Sequence, residues 1–331
     1  MFPGQGALLS IVAAVSALAC AGLPPEARAA DPPGKAADAR LYAGADLRKA
    51  SLAGRNLDGA ILTGANLVGA DLSGTSLKGA DLREAYLRDA NAKGADFSGA
   101  RMGGADLTRA DLRGARFDSA DLTLAKLDSA RLEGASLRGT FMPGASLLRA
   151  QLTGANLEQA MVAGANLTQA VLFEARMTGA IFGAAALGQQ GPSPANLAGA
   201  DLRKAMLAKA NLTSVNLREA MLDDATLTDA QLSHANLSWA RARRADLTRA
   251  NLSWTRIYAA DLAGARLTGA TMSHAQCEGT DFTDADLSDA ELESADLNQT
   301  NMTGVVMNNA RAGRVLARGV TNLPKALRDD R

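Results

Sequence analysis

Alanine recurs at every fifth residue of this chain, and a larger apolar residue follows two positions later. Of the 54 positions from 45 to 310 in steps of five, 45 are alanine, and of the 53 positions from 47 to 307, 37 are leucine. The run Ala105-Asp106-Leu107 shows the pattern, with a polar residue between the two apolar ones. Because the phase never slips, one structural rule must hold for the whole stretch.

A five-residue period does not fit the common long elements. In an α-helix each such step turns by about 140° net, so the leucines would spiral around the axis and leave no apolar stripe. Coiled coils require other periods. In a long strand an odd period would place alternate leucines on opposite faces. The period therefore predicts a closed polygon of short extended sides joined by corners.

Each side of this polygon is expected to point its alanine and leucine inward, because residues two apart in an extended segment share a face. The residue between them points outward, and the remaining two residues turn the corner. The corner often ends in glycine, as in Asp58-Gly59 and Lys78-Gly79. Glycine suits this position because it accepts a positive φ without steric cost.

The repeats resemble the pentapeptide-repeat family, whose motif is Ala-(Asp/Asn)-Leu-x-x. The resemblance covers residues 45–310. It implies an all-β fold, a right-handed quadrilateral parallel β-helix in which four repeats form each coil. About 13 coils at ~4.8 Å each would give a rod on the order of 60 Å long.

The first 30 residues are predicted to be a secretory signal peptide. Residues 7–23 are mostly apolar and small, and Ala27-Arg28-Ala29 supplies a small-x-small cleavage site. Residues 1–6 lack the Lys or Arg that usually begins such a peptide. We expect export to the periplasm or the medium. Two alternatives stay open: lipid anchoring through Cys20 in a loose lipoprotein box, and a buried N-terminal segment in a cytoplasmic protein.

Four segments follow from these patterns: a signal peptide at 1–30, a linker or N-terminal cap at 31–44, the β-helix at 45–310 and a C-terminal cap at 311–331. In the last segment a short helix is predicted at residues 311–318 and a final turn at 324–327. A cap blocks edge-to-edge growth at an open end. Dimerisation through this tail, which the family resemblance makes possible, is the alternative.

The repeat weakens at residues 188–194, where the sequence reads Gly-Gln-Gln-Gly-Pro-Ser-Pro. Pro192 falls at a central position, and proline cannot donate to a β-ladder. The frame resumes at Ala195 without a change of phase. We interpret the break as one side of one coil that bulges outward, and as a tolerated defect rather than a binding loop.

Side chains twenty residues apart are expected to stack in columns on a four-sided rod. One outward column would contain Asp121, Phe141, Met161, Ile181, Asp201 and Met221. Phe141, Met161 and Ile181 would then form an exposed apolar strip, and such strips often mark a contact surface. The alternative is that they merely fill outward positions of a permissive fold.

A second candidate surface combines arginine with aromatic residues. Its members are Trp239, Arg241, Arg243, Arg244, Arg249, Trp254, Arg256 and Tyr258. Arginine beside aromatic rings can bind nucleic-acid bases or anionic polymers, and it also occurs as solvated surface with cation–π contacts. His234 and His274 share a column with Trp254 but lie about 10 Å apart, too far to share a zinc ion. No metal and no cofactor is predicted.

The charges balance, with 35 basic and 35 acidic residues. The chain therefore has no global field that would draw it to nucleic acid or to an anionic membrane. Residues 267–310 contain no Lys or Arg, while 278–296 carry eight acidic residues. These carboxylates could attract a cation or a basic partner, although a solvated face is the simpler interpretation.

No catalytic constellation stands out from the repeat, and a rod offers no concave pocket that excludes water. We therefore do not expect an enzyme. The favoured function is an exported structural or protein-interaction rod that binds a protein or cell-envelope partner along its faces. One alternative is a DNA-mimic binder of a topoisomerase, as some members of the resembled family are. The other is a polyanion or nucleic-acid binder that uses the arginine–aromatic residues. The neutral balance and the predicted export disfavour the DNA mimic, and the polyanion binder ranks third.

Overall fold

Each coil of the protein is a square of four five-residue sides. A computed structural model of the chain describes residues 42–183 and 193–327. Every side has one parallel β-bridge, at the residue between the alanine and the leucine, followed by a two-residue turn. Asp46 bridges to Asn66, and Asn66 bridges to Tyr86, so the pairs are twenty residues apart. The predicted right-handed quadrilateral β-helix is confirmed.

The four faces are numbered 1 to 4 by their outward columns, which begin at Asp46, Ser51, Asn56 and Ile61. Corner 4/1 joins face 4 to face 1, and corners 1/2, 2/3 and 3/4 follow in chain order. Within the two described ranges the only helix assigned is a single 3₁₀ turn, Lys325–Leu327. No helix there is long and apolar enough to cross a membrane.

Backbone hydrogen bonds explain why the same five-residue unit can repeat so often. Leu67 N donates to the Tyr86 carbonyl at 2.7 Å in the coil above, and Asn66 N donates to the Ala45 carbonyl at 2.9 Å in the coil below. At the corner Ala65 N donates to the Leu62 carbonyl at 2.9 Å. The backbone groups of each side are therefore paired without help from a long strand.

The core is a narrow column of alanine and leucine with almost no solvent exposure. Larger residues also fit there, and the rings of Phe97 and Phe117 stack at 4.9 Å in successive coils. Where threonine replaces alanine, its hydroxyl is satisfied internally; Thr140 Oγ1 donates to the Phe117 carbonyl at 2.9 Å. Cys277 is buried as predicted, and this burial raises the pKa of its thiol.

The corners have positive φ whether or not they contain glycine. Gly59 has a φ of 67°, as expected for the residue that turns the corner. Between Gly199 and Gly264, however, every corner from Lys204 to Ala259 carries a side chain at a φ of 50–61°. An L-residue in this region is disfavoured by roughly 1 kcal/mol. This run of strained corners distinguishes the upper half of the rod from the glycine-rich lower half.

The coil that contains the break is longer than its neighbours. Asn166 bridges to Asn196, and Ile181 bridges to Asn211, so these pairs are 30 residues apart rather than twenty. Ala195 N donates to the Phe182 carbonyl at 2.9 Å, the contact that the residue at position 185 would make in a regular coil. The structure does not describe residues 184–192, so most of the predicted break at 188–194 lies outside the described residues. The ten extra residues nevertheless shift every later column by two faces.

The C-terminal end differs from the prediction in one respect. Arg311, Leu316 and Thr321 still bridge to the coil below, so the β-helix continues past residue 310 where a short helix was expected. The final turn is present as the 3₁₀ segment, and it places Leu327, fully buried, over the end of the core. The predicted signal peptide and Cys20 lie outside the described residues.

Candidate interaction surfaces

The apolar strip forms a column on face 4. Phe141 bridges to Met161, and Met161 bridges to Ile181. All three side chains are half-buried rather than fully exposed, because each packs along its neighbours in the ladder. The column does not continue as predicted: Asn211 follows Ile181.

The break moves the later predicted members to another column. Asp201 and Met221 belong to face 2, in the column of Val171, because the ten extra residues before Ala195 turn the later frame by half a coil. The predicted members Asp121, Phe141, Met161 and Ile181 precede the break, so their column is correct.

Leu124 extends the apolar strip, although the sequence pattern does not single it out. It lies at corner 4/1 with a φ of 58° and an exposed fraction of 65%. Its side chain covers Gly144, where an added Cβ would lie 2.8 Å from Leu124 Cδ2. Pro143 and Ala163 follow the strip residues on face 4. The described part of face 4 from 141 to 183 therefore contains no charged side chain.

The predicted arginine–aromatic residues do not form one surface. Their sequence neighbourhood wraps once around the rod, so the four arginines from 241 to 249 face other directions than the aromatic residues. Arg241 and Arg243 lie on face 2, Arg244 at corner 2/3 and Arg249 at corner 3/4. Trp239, Trp254, Arg256 and Tyr258 gather on face 1 and its two corners.

Four of these arginines are neutralised by aspartates in adjacent coils. The ion pairs are Arg241–Asp223 at 2.5 Å, Arg243–Asp261 at 2.6 Å, Arg244–Asp224 at 2.8 Å and Arg249–Asp229 at 2.8 Å. The side-chain hydrogen bond from Arg244 lowers the pKa of Asp224, and the bond from Arg249 lowers the pKa of Asp229. Among residues 42–183 and 193–327, Arg256 makes no ion pair.

The faces of the aromatic rings pack against neighbouring rings and against one guanidinium. Trp254 stacks on His274 at 4.0 Å and, more loosely, on His234 at 6.2 Å, in one column at corner 4/1. At corner 1/2 the Arg218 guanidinium lies 4.2 Å from the ring centre of Trp239. Tyr258 meets the same ring edge-on from the next coil, at 5.3 Å.

This arrangement changes what the rings can bind. Bases stack on open aromatic faces, and here those faces are covered from the coils above and below. The ring edges and the indole N–H groups remain for solvent or a partner, since Trp239 and Trp254 are about half exposed at 46% and 51%. The contact between Arg218 and Trp239 could have been found from sequence once twenty-residue coils were assumed.

The acidic residues surround the rod instead of lining one face. Asp281 lies on face 2, Asp286 on face 3, Glu291 on face 4 and Asp296 on face 1. Two residues of this acidic stretch pair with the C-terminal segment, in Glu291–Arg311 at 3.6 Å and Glu293–Arg314 at 2.9 Å. Within the described chain no group of His, Cys, Asp or Glu is arranged to hold a metal ion.

These features define the class of the protein as a quadrilateral β-helix that presents side chains on four flat faces. The chain belongs to the pentapeptide-repeat family, because the family model described as pentapeptide repeats matches most of its length. The matched segments are 43–79, 65–104, 105–144, 150–187, 195–233, 225–262, 250–289, 260–299 and 285–315.

Several solved structures are similar to this chain. HetL, a pentapeptide repeat protein involved in heterocyst differentiation regulation in the cyanobacterium Nostoc, is 32% identical over 74% of this chain and 86% of its own, with a TM-score of 0.31. QnrB1, a plasmid-mediated fluoroquinolone resistance protein, is 18% identical over 52% of this chain and 90% of its own, with a TM-score of 0.39. A search of curated proteins gave no match.

Proposed function

We propose that this protein is an exported, non-enzymatic rod that binds a protein partner along its faces. The observation that carries the proposal is the charge-free apolar strip on face 4, formed by Leu124, Phe141, Met161 and Ile181. Contiguous apolar surface of this kind usually marks a contact between proteins. Export rests on the apolar N-terminal segment and its small-x-small site.

The rest of the surface supports a protein partner over a polyanion. Many exposed arginines of the lower and upper coils pair with carboxylates, for example Arg109 with Asp89 at 2.7 Å and Arg244 with Asp224 at 2.8 Å. A surface neutralised in this way releases few counterions from nucleic acid, so it gains little affinity from phosphate contacts. A DNA mimic would need a continuous acidic surface, and these ion pairs do not offer one below residue 266.

The test replaces Phe141, Met161 and Ile181 together by Asp. Chemical crosslinking and pull-down from the compartment in which the mature protein resides would compare the variant with the wild type. A matched control replaces Gln151, Val171 and Met221 by Asp, because these outward residues form a column on face 2, opposite the strip. We expect the first variant to lose its partner and the control to keep it. Unchanged partners and unchanged mass by light scattering in the first variant would refute the proposal.

A further inference from the structure

One region of the upper rod has a composition unlike the rest. It comprises faces 4 and 1 of two successive coils, at residues 231–239 and 251–259, and the residues 271–276 of the coil above, where it ends before Glu278. Its outward residues are Ser, Thr, Asn, Gln, His, Trp, Tyr and Ala259, and Arg256 is the only Lys, Arg, Asp or Glu among them. We call this region the paratope-like surface, because antibody binding sites favour the same polar and aromatic residues around a few Arg and Trp anchors.

Arg256 lies at the centre of the paratope-like surface without a counterion. Its bridge partners on face 1 are Asn236 and Gln276, which carry amides rather than carboxylates. Within the described coils the nearest acidic residue along this face is Glu278, at the upper margin. On neighbouring faces Arg243, Arg244 and Arg249 each pair with an Asp. An exposed guanidinium left free among neutral side chains is complementary to a carboxylate from outside.

The aromatic residues are held in place at a cost in backbone strain. His234, Trp239, Trp254 and His274 all sit at corners with a φ of 58–61°. Glycine occupies the same kind of corner elsewhere, for example Gly264. All corners from Lys204 to Ala259 share this strain, so it is the stacking of these four side chains with their neighbours that distinguishes this part of the rod.

We propose that the paratope-like surface binds an acidic peptide segment of a partner protein, with a carboxylate of the segment against Arg256. The indole N–H groups of Trp239 and Trp254, whose ring faces are covered, present donors to the same segment. The inference rests on the proposed protein-binding function and assigns it a second contact region. Trp, Tyr and Arg are the residues that most often dominate binding at protein interfaces.

A displayed library of random peptides, panned on the full mature chain, is the first test. We expect the selected peptides to share an Asp or Glu at one position. Binding of a selected peptide can be followed by tryptophan fluorescence, because the chain has two tryptophans, Trp239 and Trp254, and both belong to this surface.

Variants then separate the role of each group. Arg256→Gln should raise the Kd of a selected acidic peptide about tenfold, since it removes a charge-assisted contact. Trp254→Gly should weaken binding by a similar factor while keeping the fold, because glycine suits the corner. Arg109→Gln, which removes an ion-paired arginine of a lower coil, should leave the Kd unchanged.

Three results would overturn the inference: selected peptides without a common acidic position, an unchanged Kd in Arg256→Gln, or tighter binding of oligo-deoxythymidylate than of the peptides. The last would assign the surface to nucleic acid. If the face 4 triple variant loses its partner while Arg256→Gln binds normally, the proposed function holds and this inference fails.

Discussion

Trp254 and His274 occupy the same corner of successive coils, with ring centres 4.0 Å apart and planes inclined by 12°. Both residues have a positive φ, 60° and 58°. Parallel ring contacts stabilise by about 1 kcal/mol, which is the order of the strain of one left-handed L-residue. Stacking along the corner therefore offsets part of the backbone strain of these two residues.

Leu124 offers a direct measure of corner strain. We expect Leu124→Gly to raise the free energy of unfolding by about 0.5 kcal/mol, because glycine accepts the φ of 58° while little burial is lost from a 65% exposed side chain. Guanidinium unfolding would measure the change. Leu148→Gly is the control, since that residue precedes a corner and has no positive φ; it should lower stability. A loss in both variants would contradict the strain argument.

The C-terminal turn is expected to close the core. Leu327→Ala should lower the free energy of unfolding by about 2 kcal/mol, because it removes a buried side chain from the end of the apolar column. Lys325→Ala, in the same turn but exposed, should have no effect. Thermal unfolding would measure the stability of both variants, and binding of an apolar dye would report exposure of the core. Equal stability of the two variants would show that the turn does not cap the rod.

Asp111 should titrate far below an ordinary aspartate. The hydrogen bonds from the Arg113 side chain, at 2.8 and 2.7 Å, lower the pKa of Asp111 from 3.8 to about 2. A depressed pKa in the folded state means that this pair stabilises the fold above pH 3.8 and ceases to do so as the pH falls to about 2. Carboxyl NMR titration would show the value, and Arg113→Gln should raise it. A normal pKa in the wild type would contradict the geometry.

Cys277 gives a test of burial and export together. Burial raises the pKa of its thiol, and a buried thiol is inert to thiol reagents. Protein recovered from the periplasm or medium should show no reactive thiol when folded and one after denaturation, since Cys20 would have left with the signal peptide. A second thiol on denaturation, with an intact mass that includes Met1, would refute cleavage. A mass increase from lipid would support anchoring through Cys20.

Prediction from the sequence succeeded where the five-residue frame alone decides the outcome. Alanine and leucine can only point inward, so the core follows from the period. The register across the break could not be predicted in the same way, because ten extra residues preserve the five-residue phase whether they form two sides or leave the coil. The prediction of a single arginine–aromatic surface was wrong for a related reason. Arg244 and Trp254 are close in sequence, but they lie at different corners because each repeat turns the chain onto the next face.

The long coil between Asn166 and Asn196 sets the rotational alignment of the two halves of the rod. Had its ten extra residues formed two ordinary sides, Asp201 would lie above Ile181, and the residues around Arg256 would point away from the apolar strip by half a turn. Because the ten residues do not form two sides, the apolar strip and the paratope-like surface share face 4 of the rod. One extended partner can therefore contact both. The later columns keep their alignment because Ala195 takes the place after Phe182 in the coil, whereas one added repeat within a coil would rotate everything beyond it by a quarter turn.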